Sequence, residues 1–80
     1  MKLCDLAVGE SGTVRTVEDN SPADPTARRL RDLGFVGGER VRLVARGPIG
    51  REPLLVQVGF TRFALRIAEA GRVRIDRTPS

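Results

Sequence analysis

The chain has 80 residues, enough for one domain and one modest core. Hydrophobic residues make up 40% of it, too many for a disordered tail. No run approaches the ~18 apolar residues of a membrane span, and no apolar segment follows Lys2 as in a signal peptide, so a cytoplasmic location is expected. The formal charge is +4, from 14 basic residues, all but Lys2 arginine, against 10 acidic ones. Such a balance admits an acidic partner (nucleic acid, anionic lipid or an acidic protein face) or a plain compositional bias toward arginine.

In chain order, Leu3 to Gly9 is short and mixed, and Gly9-Glu10-Ser11-Gly12 suggests a turn. Thr13 to Val17 is β-rich, with Val14 and Val17 out of strict alternation, which predicts a bulge. A loop follows over Asp19 to Pro25. Asp24 before Pro25 predicts a helix start, because the carboxylate caps free N–H groups and proline suits the first helical position. The helix is expected over Pro25–Leu33, with Thr26, Leu30 and Leu33 on one face and Arg28, Arg31 and Asp32 outward. Arg28 and Asp32 stand four apart, where a pair can form. Gly34 stands where a left-handed residue ends a helix.

Phe35 to Glu39 reads as a turn. Arg40 to Arg46 then alternates, with Val41, Leu43 and Ala45 inward and Arg40, Arg42 and Arg46 outward. Gly47 to Pro53 reads as a loop by its glycines and prolines. A third strand is expected over Leu54–Val58, and Gly59 to Arg62 as a tight connection. A fourth strand follows over Phe63–Ile67 with Phe63, Leu65 and Ile67 inward. A single helical turn falls at Ala68–Gly71, and a fifth strand at Arg72–Asp76. Five short strands and one helix predict a mainly β fold, a small antiparallel barrel that removes most free sheet edges. The domain is expected over residues 1–76 with a tail at 77–80, of which Thr78-Pro79-Ser80 looks frayed. The expected core is Leu6, Val14, Val17, Leu30, Leu33, Val41, Leu43, Leu54, Val56, Val58, Phe63, Leu65, Val73 and Ile75.

Little in the composition favours catalysis. Histidine, the commonest general base and neutral metal ligand, is absent. The single cysteine, Cys4, forms no internal disulfide and has no neighbouring base, so it reads as a small half-buried hydrophobe. No phosphate-binding or CxxC pattern occurs. The carboxylates are scattered and often beside arginine, an arrangement of surface ion pairs rather than of a metal site. No catalytic residue, cofactor or metal site is expected. Nucleic-acid readers stack bases on aromatic rings, and three Phe with no Tyr or Trp make a specific nucleic-acid site a poor fit.

Four segments carry a resemblance. Leu3-Cys4-Asp5-Leu6-Ala7-Val8-Gly9 is a Leu-x-x-Leu-x-x-Gly opening. Arg29 to Val41 contains a helix ending in Leu33-Gly34-Phe35 that turns through Gly37-Gly38 into a strand. Gly47-Pro48-Ile49-Gly50 holds a Pro-x-Gly loop. Ala64-Leu65-Arg66-Ile67-Ala68-Glu69-Ala70 has the form Ala-Leu-Arg-x-x-Glu-Ala. In this order, across residues 3 to 75, they resemble the FeoA family of bacterial ferrous-iron transport accessories. Arg51-Glu52-Pro53 departs from the shorter Gly-Asp-Pro turn common in that family, and the loop at 18–26 is locally unusual.

The resemblance implies an SH3-like barrel. It also implies a cytoplasmic partner of FeoB, the membrane ferrous-iron transporter with a GTPase domain, acting by protein contact in regulation or assembly. The membrane is then met only through the transporter. A related fold closes iron-dependent repressors, which leaves open a stand-alone regulatory or dimerising module, a homo-oligomer, or non-specific nucleic-acid binding. No DNA-reading helix is present to support direct repression. Most motif residues also suit structural roles: Gly34 as a helix stop, Gly9 and Gly38 in turns, Leu30, Leu33 and Leu65 in the core, and Glu69 with Arg66 as a local pair. The exposed candidates for partner binding are Arg28, Arg31 and Asp32 on the helix, Phe35 and Val36 after it, and Pro48, Ile49, Gly50 and Arg51 in the loop that runs to Pro53.

Overall fold

Strand β1 (Ser11–Val17), helix α1 (Pro25–Asp32), strands β2 (Arg40–Ile49), β3 (Glu52–Val58) and β4 (Thr61–Leu65), the short helix α2 (Ile67–Ala70) and strand β5 (Val73–Arg77) follow a 3-10 turn at Leu3–Asp5. This is a computed structural model that describes residues 1–77; of the tail expected at 77–80, Arg77 instead ends β5 and pairs with Glu10, and Thr78-Pro79-Ser80 lie outside the described residues. The strands form one antiparallel sheet in the order β4-β3-β2-β1-β5. No helix among the described residues is long and apolar enough to cross a membrane.

The local signals place α1 well. Asp24 Oδ1 accepts from the backbone N–H groups of Thr26 at 3.0 Å and Ala27 at 3.3 Å, and Pro25 opens the helix. At the other end Gly34 N donates to Arg31 O at 3.0 Å and Phe35 N to Leu30 O at 3.1 Å. That double closure is a Schellman motif. It needs a left-handed residue, and Gly34 supplies φ +112°. The buried face of α1 is Ala27 and Leu30; Thr26 and Leu33, expected on it, are half-buried.

The turns are tighter than the composition suggests. The expected loop at Gly47 to Pro53 shrinks to two residues, because β2 runs to Ile49 and pairs it with Glu52. Gly50 and Arg51 both take positive φ, 62° and 61°, the left-handed pair whose twist matches a two-residue hairpin. Gly59-Phe60 likewise joins β3 to β4 through the Val58–Thr61 pair. The fourth strand stops at Leu65 because Ile67 opens α2, and Ile67, expected inward, is exposed.

Three register shifts, one in β1 and two in β2, decide which side chains face inward. The one expected in β1 lies between Val14 and Thr16. The two in β2 were not expected, and the second of them lies between Arg46 and Ile49. In β2, Leu43 stands opposite Val56 and Ala45 opposite Leu55, so Val44 is the extra residue. A bulge of one residue reverses the facing of the residues after it, here as far as the second shift. Arg46, expected outward, therefore lies opposite the fully buried Leu54, and Ala45 moves to the other face. Arg46 Nη2 donates to Cys4 O at 2.7 Å and Leu6 O at 3.4 Å, tying the N-terminal turn to the sheet.

The core gathers the expected residues except Leu33 and Phe63, which are half-buried, and adds Leu3, Ala27, Phe35 and Ala70. Cys4 packs against it, half-buried as expected. The expectation that closure hides the sheet edges holds on one side only. Residues Met1 and Lys2 cover β5, with Ile75 N donating to Met1 O at 2.9 Å and a bridge between Lys2 and Arg74. Among the described residues β4 pairs with β3 alone, since β4 and β5 lie at opposite ends of the strand order.

Candidate functional site

The helix side is organised around Asp24. Besides capping α1, its Oδ2 accepts from Asn20 N at 2.9 Å and from Arg72 Nη1. The residue is almost fully buried. The N–H of Asn20 above all, with those of Ala27 and Thr26 and the Arg72 guanidinium, holds its carboxyl down to about 2, against the opposing effect of burial. Asp24 is thus a structural anchor of the 19–25 loop.

Arg31 serves the same loop. Its guanidinium donates to Asp19 Oδ1 at 3.1 Å and Oδ2 at 2.6 Å, and to Val17 O at 2.9 Å. The hydrogen bonds to Arg31 lower the Asp19 carboxyl, and the reciprocal contact raises the guanidinium. Arg31 is therefore a tie between α1 and β1 as well as a surface group. Arg29 pairs with Glu69 at 2.9 Å. Glu69 Oε1 also accepts from Arg66 N at 2.9 Å, so the local side-chain pair expected between Glu69 and Arg66 is replaced by a backbone cap and a distant arginine. Arg28 and Asp32, expected to pair, form no ion pair among the described residues, and both are exposed. Arg28 and Arg31 line a surface cleft of about 620 Å³ with Asp19, Ser21, Pro22, Ala23 and Asp24.

Phe35 corrects the sequence reading. It was expected on the surface, and it is 0% exposed. The Schellman closure turns the residue after Gly34 back over Leu30, an apolar contact that commonly accompanies the motif. The ring then meets Phe63, with centroids 6.1 Å apart and planes tilted by 51°. Val36 stays on the surface at 44% exposure. Pro48, Ile49, Gly50 and Arg51 are all exposed at the β2–β3 hairpin tip, Ile49 at 85%. The helix group and the hairpin group sit on different elements, and no hydrogen bond or ion pair among the described residues joins them.

Three further arginines stand outside the two candidate groups. Arg40, Arg42 and Arg62 are exposed, and none has a carboxylate within ion-pair distance among the described residues. Phe60, on the β3–β4 turn, is wholly exposed. The signal for Arg40 and Arg42 was present in their alternation; that for Phe60 was its place in a two-residue turn. Among the described residues no three His, Cys, Asp or Glu side chains come together as metal ligands would.

One curled antiparallel sheet with one main helix across it defines a small SH3-like β module. A model of the FeoA domain matches residues 1–77, and the chain belongs to the FeoA family. It is similar to the FeoA of Stenotrophomonas maltophilia, solved with zinc and described as a prokaryotic SH3 domain protein and a candidate activating factor for bacterial ferrous iron transport. The two are 62% identical over 95% of this chain and 89% of that one, with a TM-score of 0.87. It is also similar to the FeoA protein of Chlorobium tepidum, at 29% identity over 99% of this chain and 71% of that one, with a TM-score of 0.84. A manganese-dependent transcriptional repressor shares the fold alone, at 20% identity, covering 98% of this chain and 41% of the repressor, with a TM-score of 0.82. No curated protein sequence matches significantly.

Proposed function

We propose that this chain is a cytoplasmic accessory of bacterial ferrous-iron uptake that binds the cytoplasmic GTPase region of a FeoB-type transporter and regulates or assembles it by contact, without catalysis. The observation that carries this reading is the match of the FeoA domain over residues 1–77, with the ferrous-iron transport role attached to the 62% identical relative. The residues present agree with a binding role. They offer no histidine and no ligand cluster among those described, while charge and apolar groups are spread over open surface.

The helix side is the first docking candidate. Arg28 and Asp32 are exposed without ion-pair partners among the described residues, and Val36, in the turn that follows the helix, is exposed as well. Arginine around an apolar residue suits a protein interface, because its planar head pairs with carboxylates while its stem packs. Pro48 to Arg51 form a second candidate on the hairpin tip. Phe35 drops out as a contact because it is buried, and Arg31 contributes only what its ties to Asp19 and Val17 leave free.

The test is the double variant Arg28→Glu/Val36→Glu, assayed by capture of the purified transporter cytoplasmic region and by growth under iron limitation. Circular dichroism should match the parent, since surface changes of this kind move stability by about 0.5 kcal/mol or less. Capture and growth should both fall. Parent-like capture and growth from the folded variant would remove the helix side, and a parent chain that captures no transporter at all would remove the proposed function.

A further inference from the structure

The open edge of β4 has a defined hydrogen-bonding pattern. A two-residue turn is closed by a mutually bonded pair, here Val58 and Thr61. Bonding then alternates along β4. Thr61, Phe63 and Leu65 turn their N–H and C=O groups to β3, and Arg62 and Ala64 turn theirs away from the sheet. Both residues are exposed. The other outer strand, β5, is covered by residues Met1 and Lys2, so the exposure of β4 is specific to that side of the sheet.

The charge beside this edge is also unspent. Strand register sets Ser11, Arg42, Gln57 and Arg62 side by side across four strands, and Arg40 shares the face two residues from Arg42. Arg62 Nε donates to Gln57 Oε1 at 3.3 Å, which holds the guanidinium over the sheet. Among the described residues six ion pairs occupy Arg15, Arg29, Arg31, Arg72, Arg74 and Arg77, and Arg40, Arg42 and Arg62 are in none of them. Glu39, the residue before Arg40, forms no ion pair among the described residues either. A depression of about 290 Å³ lies against Arg40, Arg42, Gln57 and Gly59.

We propose that the β4 edge, with Arg42 and Arg62 beside it, receives an extended acidic segment of a partner protein as a sixth strand. The proposal rests on the protein-contact function above and adds a second surface to it. A strand satisfies both the donors and the acceptors of Arg62 and Ala64, and alternate acidic side chains on its outer face reach the arginines. A phosphate backbone brings acceptors only and leaves the two carbonyls unpaired. A second copy of this chain would bring another arginine-bearing strand to the same edge, with like charges on neighbouring strands.

The probe is a capped peptide of alternating Glu and Thr, about ten residues long so that it spans β4, titrated into the full chain labelled with nitrogen-15. Saturable shifts should centre on Arg62, Phe63, Ala64 and Arg42. Amide exchange at Arg62 and Ala64 should slow when the peptide is bound. Arg42→Glu/Arg62→Glu should weaken binding by roughly tenfold or more. Ala64→Pro, which removes an outward N–H at a position where an edge strand accepts proline, should do the same. If that variant fails to fold, the exchange measurement on the parent decides. No binding, or binding without protection of the two amides, overturns the strand addition. Equal affinity for an oligothymidylate of the same length at the same residues overturns it in favour of nucleic acid. Failure here with transporter capture intact removes this surface and leaves the protein-contact function standing.

Discussion

Replacing Phe35 with alanine distinguishes a core ring from an exposed one by an order of magnitude in the measured effect. The ring is 0% exposed and packs on Phe63. Truncating a buried Phe to Ala costs about 3–5 kcal/mol, from lost transfer energy and the cavity left behind. For 80 residues the total stability expected is only ~4–12 kcal/mol. In a domain of this size each 1 kcal/mol moves Tm by about 4–8 °C, so the variant should melt at least roughly 12 °C lower. Phe35→Leu keeps most of the volume and should cost less than about 1.5 kcal/mol. Val36→Ala, on the surface next door, should stay within about 0.5 kcal/mol. The chain lacks Trp and Tyr, so far-ultraviolet circular dichroism during urea and thermal unfolding is the suitable readout. If Phe35→Ala unfolds within about 0.5 kcal/mol of the parent, the ring is on the surface, and the fold of the 33–36 turn described above is incorrect.

Gly34 stands at φ +112°, with open space around the missing side chain apart from Val58 Cγ1 at 3.5 Å. The cost of substitution is therefore conformational. Gly34→Ala should lose about 1–2 kcal/mol and Gly34→Val more, read as lower urea midpoints, whereas equal midpoints would contradict a left-handed stop. Asp24 is held at about 2, below its ordinary value of 3.8. Its carboxylate therefore contributes stability above roughly pH 4 and loses it as the pH falls toward about 2, because the unfolded chain takes up the proton first. Asp24→Asn should be less stable than the parent at neutral pH and should approach it through that window; a gap that stays constant from pH 7 to 2 would assign the role of Asp24 to shape rather than charge.

Much of the fold was legible locally. Asp24-Pro25 starts α1 because a carboxylate and a proline suit a helix N-terminus, and Gly34 stops it because only glycine takes that φ cheaply. Alternation in β3 correctly turned Leu54, Val56 and Val58 inward. Such signals act over a few residues, and a linear pattern can carry them. The facing of Arg46 was not of this kind. One inserted residue at Val44 reversed the phase, and that insertion is defined only by what stands opposite it in β3. The burial of Phe35 depended on where the Schellman turn delivered it relative to Phe63, which lies on another strand.

The candidate surface divides along the same line. Exposure of Arg28, Asp32, Val36 and the Pro48 to Arg51 tip followed from helix and turn grammar. The state of the charges did not. Sequence neighbours suggested Arg28 with Asp32 and Arg66 with Glu69, whereas the structure pairs Arg31 with Asp19, Arg29 with Glu69, Arg72 with Asp24 and Arg15 with Asp76. Partners so far apart in the chain are chosen by how strands and helices pack, since an ion pair requires contact and contact between elements is a tertiary property. The composition alone establishes an excess of positive charge. Only the folded chain, by occupying six arginines with its own carboxylates among the described residues, concentrates part of that excess on the face of β2 and β4.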